Sequence, residues 1–215
     1  MDLKNFAVSW VDLVVVVLLL VGITRGRKRG LSQELLDVLK WLTVVVVAGH
    51  FHEPIGSFLS ASTVFSLLFC YLVTYTLLAL GVILFYRLLR RSVGEKLVGS
   101  DAFGSGEYYM GMVGGFFRYL AVLIVILALV NARYYSPEEI RRNVRAQEDS
   151  LGTIFFPPLG TVQAAIMKDS LTGRLATEYL SYVLIRPTSP EEKGLGGGDN
   201  LVKARQREVD RVLAK

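Results

Sequence analysis

The sequence predicts an all-α, polytopic membrane protein: four transmembrane helices, then a mostly helical, partly flexible C-terminal tail. Three observations carry that prediction. Of 215 residues, 52% are hydrophobic and 20% charged, a combination that an ordinary soluble domain accommodates only if the two sets are segregated. They are: residues 1–130 hold 11 of the 24 Lys and Arg and 8 of the 19 acids, so the last 85 carry 13 and 11. The apolar residues also form long runs, and Lys and Arg gather in alternate connections between them. The predicted organisation is a four-helix transmembrane domain over 1–132, an amphipathic helical tail over 133–186, and a flexible linker with a charged terminal helix over 187–215.

The first run, Phe6 to Ile23, carries one charge, Asp12, and leads into Arg25-Gly26-Arg27-Lys28-Arg29. A signal peptide has its basic region before the apolar one, so this order predicts a spanning helix with its N-terminus outside. The second segment, Leu31 to about Phe51, has Glu34, Asp37 and Lys40 in its first half and Leu35, Leu36, Leu39, Leu42 and Val46 at helical spacing. Its polar stripe predicts contact with other helices in a full crossing, with an interfacial helix as the alternative. Gly49 to Ser62 contains no Lys or Arg, and Pro54 with Gly56 predicts an outer loop there. Val64 to Tyr86 is an uncharged span that ends at Arg87, Arg90 and Arg91. A glycine-rich connection, Ser92 to Met112, leads to a fourth helix that ends near Val130 and carries Arg118. Gly111-x-x-x-Gly115 marks it as a helix-packing surface.

Four spans place both termini outside. Ser136-Pro137-Glu138-Glu139 is a capping box that opens a short polar helix to about Asp149, and Phe155-Phe156-Pro157-Pro158 interrupts the chain after it. Thr161 to Leu171 and Thr172 to Ile185 are amphipathic, presenting Val162, Ala165 and Ile166 on one face and Leu175, Tyr179 and Val183 on another. Pro187 to Gly198 is linker-like, and Asp199 to Leu213 is a charged helix.

The chemistry-bearing residues are few. Cys70 is the single cysteine, so disulfides within one chain are excluded. His50-Phe51-His52-Glu53 has metal-ligand chemistry: in a loop the two rings can converge, whereas a helix end would point them apart, and no metal or other cofactor is expected. Gly104-Ser105-Gly106 lacks the continuation that makes a phosphate loop. Interspersed tail charges argue against nucleic-acid binding. The intramembrane charges Asp12, Asp37, Lys40 and Arg118 are the candidate functional or structural residues, because each is costly against lipid and must face protein or water. Asp37 and Arg118 fall at neighbouring depths on helices of the same direction, which predicts an ion pair, with Lys40 competing for the carboxylate.

Ser9-Trp10-Val11-Asp12, Arg25-Gly26 with Gly30-Leu31 and Glu34-Leu35 through Trp41, and Gly99 to Arg118 together resemble the colicin V production protein family over about residues 7–132. Its usual Arg-Gly-x-x-x-Glu turn is extended here by Arg27-Lys28-Arg29-Gly30. The resemblance implies a bacterial inner-membrane protein of envelope homeostasis, toxin production or export, or surface growth, with no established chemistry. Relatives whose four-span module precedes an outward-facing serine protease imply an outer C-terminus. No His follows His52, so a Ser-His-Asp triad in this tail is excluded. Two roles remain: a membrane anchor and assembly module, partnered by the bilayer, further copies of itself and an envelope protein on the outer side, or an oligomeric solute or ion conduit. The anchor predicts that tail truncation abolishes function while neutral substitutions at Asp12 or Asp37 are tolerated; the conduit predicts the reverse. No catalytic residue is expected.

Overall fold

The computed structural model describes residues 9–98, 106–151 and 157–189. Its helices are α1 (Trp10–Arg29), α2 (Leu31–Ser62), α3 (Leu67–Val98), α4 (Gly106–Asn131), α5 (Pro137–Leu151), α6 (Leu159–Ala164) and α7 (Leu171–Tyr179); a π-helical turn, Ala165–Asp169, joins α6 to α7. Among the described residues there is no strand, only a parallel bridge between Arg133 and Thr188. The Gly104-Ser105 pair and nearly all of the predicted linker and terminal helix lie outside the described residues.

The basic stretch is not a loop. Arg27, Lys28 and Arg29 form the last turn of α1, where cations complement the exposed carbonyls of a helix end. One residue, Gly30, reverses the chain into α2 at φ 76°, a conformation open to glycine. The Glu107 carboxylate of α4 accepts the Ser32 N–H at 3.3 Å and so satisfies one of the free donors at the start of α2.

The long helices pack in the order α1, α4, α2, α3. At the first interface glycine faces glycine: a methyl on Gly22 would sit 2.9 Å from the Gly115 carbonyl oxygen, and one on Gly111 would sit 2.6 Å from that of Gly26. Side chains on Gly26 or Gly115 would overlap the carbonyls of Gly111 and Gly22 outright. The predicted helix-packing surface at Gly111 and Gly115 is therefore used inside the chain, where it lets two backbones touch.

The expected loop at Gly49 to Ser62 is helical. Pro54 lacks the N–H that would bond the carbonyl of His50, yet α2 runs on to Ser62 because packing holds it there. Gly56 lies against the Tyr71 ring, where a methyl would come within 2.5 Å of Cδ1, and Ser60 is buried. The turn before α3 is thus short, and α3 itself reaches Val98, beyond the predicted Tyr86.

Helix α2 is amphipathic in the inverse sense. Its buried positions include Ser32, Glu34, Asp37, His52 and Ser60, while Leu35, Leu39, Leu42, Val46, Phe51, Ile55 and Phe58 are exposed. The other long helices likewise expose Val14, Val17, Leu77, Leu80, Phe85, Val113 and Phe117. Such a surface is unfavourable in water and favourable in hydrocarbon. By length and apolarity, Leu67–Arg91 and Gly106–Asn131 can each cross a membrane. In α1 Asp12 and the basic last turn, and in α2 Glu34, Asp37 and Lys40, interrupt the apolarity of the helix.

The tail folds back onto the bundle. Met167, Ala176, Leu184 and Ile185 share one core with Ala48, Tyr71, Tyr75, Leu123 and Leu127. Val183 packs with Val45 and Ala121. Thr188 brackets the end of α4, donating its N–H to Ala132 and accepting that of Tyr134, both at 3.0 Å. Asn131 donates to the Ile185 carbonyl at 3.0 Å. Leu175 and Tyr179, on the predicted apolar face, are exposed and do not meet the bundle; the small Gly173 and Ala176 face inward instead, because that face lies close to backbone. At Ser136 the hydroxyl accepts the Glu139 N–H at 3.1 Å, but the Glu139 carboxylate turns to Arg133 at 2.6 Å instead of closing the capping box.

Gly26→Leu should lower the midpoint of thermal unfolding in detergent by the equivalent of about 3 kcal/mol or more, since neither helix backbone can yield. Gly81→Leu is the matched control: nothing lies within 4 Å of a methyl there, and no shift is expected.

Candidate functional site

Two polar sites lie at opposite ends of the bundle. At the Gly30 end, Glu34 and Asp37 lie three residues apart and so share one face of α2, the face turned to α4. From α4, Arg118 leans toward its own helix N-terminus and reaches down to them. Its Nη1 lies 3.0 and 2.8 Å from the two oxygens of Glu34, whose side chain is 1% exposed. The same nitrogen is 3.5 Å from Asp37.

The other cations close around this pair. Lys40 approaches Asp37 to 2.8 Å, Arg29 lies 3.4 Å from Glu34 and 3.6 Å from Asp37, and Arg90 comes from α3 to 3.8 Å of Asp37. Two carboxylates thus meet four cations drawn from all four long helices. Both basic clusters of the sequence, the one after Arg25 and the one after Arg87, reach the same end of the bundle.

The predicted Asp37–Arg118 pair is present, but neither residue is the other's nearest partner. Arg118 is closer to Glu34 and Asp37 is closer to Lys40. The sequence reading missed Glu34, Arg29, Arg90 and Glu107 as site residues. For Glu34 a signal was available: it sits one helical turn before Asp37, on the stripe opposite the leucines.

At the other end, Asp12 holds the tail. Its carboxylate accepts the backbone N–H groups of Leu171 and Thr172 at 3.1 and 3.0 Å and the Thr172 hydroxyl at 2.8 Å. It also accepts the Ser9 N–H at 3.1 Å. Ser170 completes the cap by accepting the Gly173 N–H at 2.9 Å, so the first three amides of α7 are satisfied by two side chains from distant parts of the chain. A negative charge there also meets the positive end of the α7 dipole.

Between these ends, the two histidines diverge as helical geometry requires. His50 is exposed and His52 is buried. His52 Nδ1 contacts the carbonyl oxygens of Ala48 and Gly49 at 3.0 and 2.8 Å, so it is the protonated nitrogen, and Nε2 is left buried without a partner. The Ser60 and Tyr75 hydroxyls are likewise buried, and none of these three atoms has a partner among the described residues. Among the described residues no three metal-ligating side chains converge.

A helical bundle that buries Asp12, Glu34 and Asp37 and exposes many of its leucines and valines, with two helices long and apolar enough to cross a bilayer, points to a helical membrane protein. The family model described as colicin V production protein matches residues 11–146, and the chain belongs to that family. The match runs past the expected limit near 132 into α5. No curated protein and no solved structure matches the chain.

Glu34→Gln should cost about 3–5 kcal/mol of stability, because it leaves Arg118 buried without its nearest counter-charge. Asp37→Asn should cost less than half as much, because the cations around Asp37 are more exposed and Lys40 and Arg90 can turn outward. Unfolding midpoints in detergent check the order, and exchange of the charges between Glu34 and Arg118 should recover part of the loss. Asp12→Ala should leave the bundle folded but release α7, detected as faster proteolysis around Leu171 in the purified full chain.

Proposed function

We propose that the protein is a multi-pass anchor and assembly module of the bacterial inner membrane, serving envelope homeostasis, toxin production or export, or surface growth. All four long helices span the bilayer, with the Gly30 end cytoplasmic and both termini outside. The convergence of two basic clusters at the Gly30 end supports that orientation. So does the inverse amphipathicity of α2, which favours a full crossing over an interfacial position.

The observation that carries the anchor reading is that the intramembrane charges are spent on structure. Asp37, Lys40 and Arg118 form one cluster with Glu34, and Asp12 binds the start of α7. Charges locked in mutual contact fix helix register; they do not relay an ion. The tail is built into the outward half of the bundle, where it offers exposed Leu175, Tyr179 and Tyr182 to an envelope partner or a second copy. No catalysis is part of this role.

A conduit is favoured by one feature, the unpartnered interior polar atoms of His52, Ser60 and Tyr75, which a file of water would satisfy. Proteoliposomes of the full chain separate the two readings. The anchor predicts proton and ion flux no greater than in protein-free vesicles, and loss of complementation in a deletion strain when the chain stops after Tyr134. Because Asp12 holds the tail, the anchor now also predicts that Asp12→Ala impairs function. Flux that falls on His52→Ala while tail truncation is tolerated would establish the conduit instead.

A further inference from the structure

We propose that the groove between the Gly30 ends of α1 and α4 binds the phosphate headgroup of an anionic phospholipid, with its acyl chains lying along the adjoining helix faces. The proposal rests on the reading above that this end of the bundle meets a membrane surface. The groove encloses about 620 Å³ and is lined by Thr24, Arg27, Lys28, Tyr108, Tyr109 and Met112. It is deep because the glycine contacts at Gly26 and Gly111 bring the two helix axes close, so that side chains just beyond them must splay apart.

Its chemistry follows from which neighbours are already engaged. Arg29 is drawn to Glu34 and Asp37, and Glu107 is turned to the Ser32 amide. Arg27 and Lys28 point away from that cluster. Both are exposed and have no acidic partner among the described residues, although Thr24, Arg27 and Lys28 share one face of α1 through their spacing of three and four. Opposite them, Tyr108 and Tyr109 are 58% and 70% exposed. Two cations and two phenols make a site that presents donors and, among the described residues, no carboxylate to repel an anion; the Thr24 hydroxyl already donates to the Val21 carbonyl at 3.0 Å and only lines the groove.

The faces leading away from the groove distinguish a lipid from free phosphate. On α1, Val17, Leu20 and Val21 continue the line of Thr24, Arg27 and Lys28 at helical spacing, and on α4 Val113 and Phe117 continue the line of Tyr109; all are exposed. A ligand with a phosphate at one end and hydrocarbon at the other matches this sequence of surfaces, whereas inorganic phosphate would use the groove alone.

The test is native mass spectrometry of the full chain in mild detergent, offered equal amounts of phosphatidylglycerol and phosphatidylcholine with identical acyl chains. The protein should retain phosphatidylglycerol at least about tenfold better, each cation contributing about fivefold. The variant R27Q/K28Q should lose the preference, and Arg25→Gln, at the same helix end but outside the groove, should keep it within about twofold. Should R27Q/K28Q not fold, Tyr108→Phe/Tyr109→Phe, which removes only two hydroxyls that donate to the phosphate, should lower retention of phosphatidylglycerol by about threefold. Equal retention of both lipids by the unaltered protein, a preference unchanged in R27Q/K28Q, or, where that variant does not fold, retention of phosphatidylglycerol unchanged in the tyrosine variant, would overturn the site. Inorganic phosphate that displaces the lipid at about 10 mM and needs Arg27 and Lys28 to do so would reassign it to a soluble anion. Retention in detergent does not depend on sidedness, so reporter fusions that reverse the topology would refute the orientation and leave this test standing.

Discussion

The Glu34 carboxylate is wholly shielded, and nearly everything else in the bundle follows from the need to compensate it. An ionised carboxylate in that position is tolerable only with a cation in direct contact, and Arg118 supplies one from the neighbouring helix. Because Arg118 must reach back along α4 to meet it, the pair fixes both the rotation and the height of α4 against α2. Helix α4 in turn can sit close to α1 only through glycine, which is why Gly22, Gly26, Gly111 and Gly115 face one another. The position of α1 sets that of Asp12, and Asp12 receives the start of α7. One buried charge thus orders a chain of contacts that runs from one end of the molecule to the other.

This arrangement suits an apolar solvent better than water. In water the exposed line from Leu35 to Phe58 would drive association, and burying Glu34 and Asp37 would forfeit hydration for little return. In hydrocarbon, the leucines are already satisfied, and specificity must come from close backbone packing and from polar pairs. Both are present. The tail obeys the same economy: each free amide at the start of α7 meets an oxygen, and Thr188 and Asn131 close the backbone where α4 ends.

Much of this was legible in the sequence where a single physical signal dominates. The helical class and the first, third and fourth helices follow from apolar runs and basic ends. Asp12, Asp37, Lys40 and Arg118 stand out because charge in an apolar run is costly. What stayed hidden depends on packing. Pro54 and Gly56 look like loop residues locally, and packing on α3, including the contact of Gly56 with Tyr71, keeps α2 helical. Glu34 was placed on the polar stripe of α2 but not among the site residues, since the sequence does not show that Arg118 of α4 lies against it. Gly111-x-x-x-Gly115 was recognisable as a packing surface, but its partner, Gly22-x-x-x-Gly26, lies partly within the cationic stretch. Leu175 and Tyr179 followed a helical period, yet the buried side of α7 is its small-residue side.

The inside-out character of α2 is the claim on which the rest stands, and spin-label accessibility along that helix tests it most directly. Single cysteines are placed through α2 in a Cys70→Ser background and reconstituted in lipid, and collision rates are read with oxygen and with a water-soluble nickel chelate. Labels at Leu35, Leu39, Leu42 and Val46 should be open to oxygen and closed to nickel, while Val44, Val45 and Ala48 should be closed to both. High nickel accessibility at the leucines, or an oxygen maximum on the side that carries Glu34 and Asp37, would contradict it.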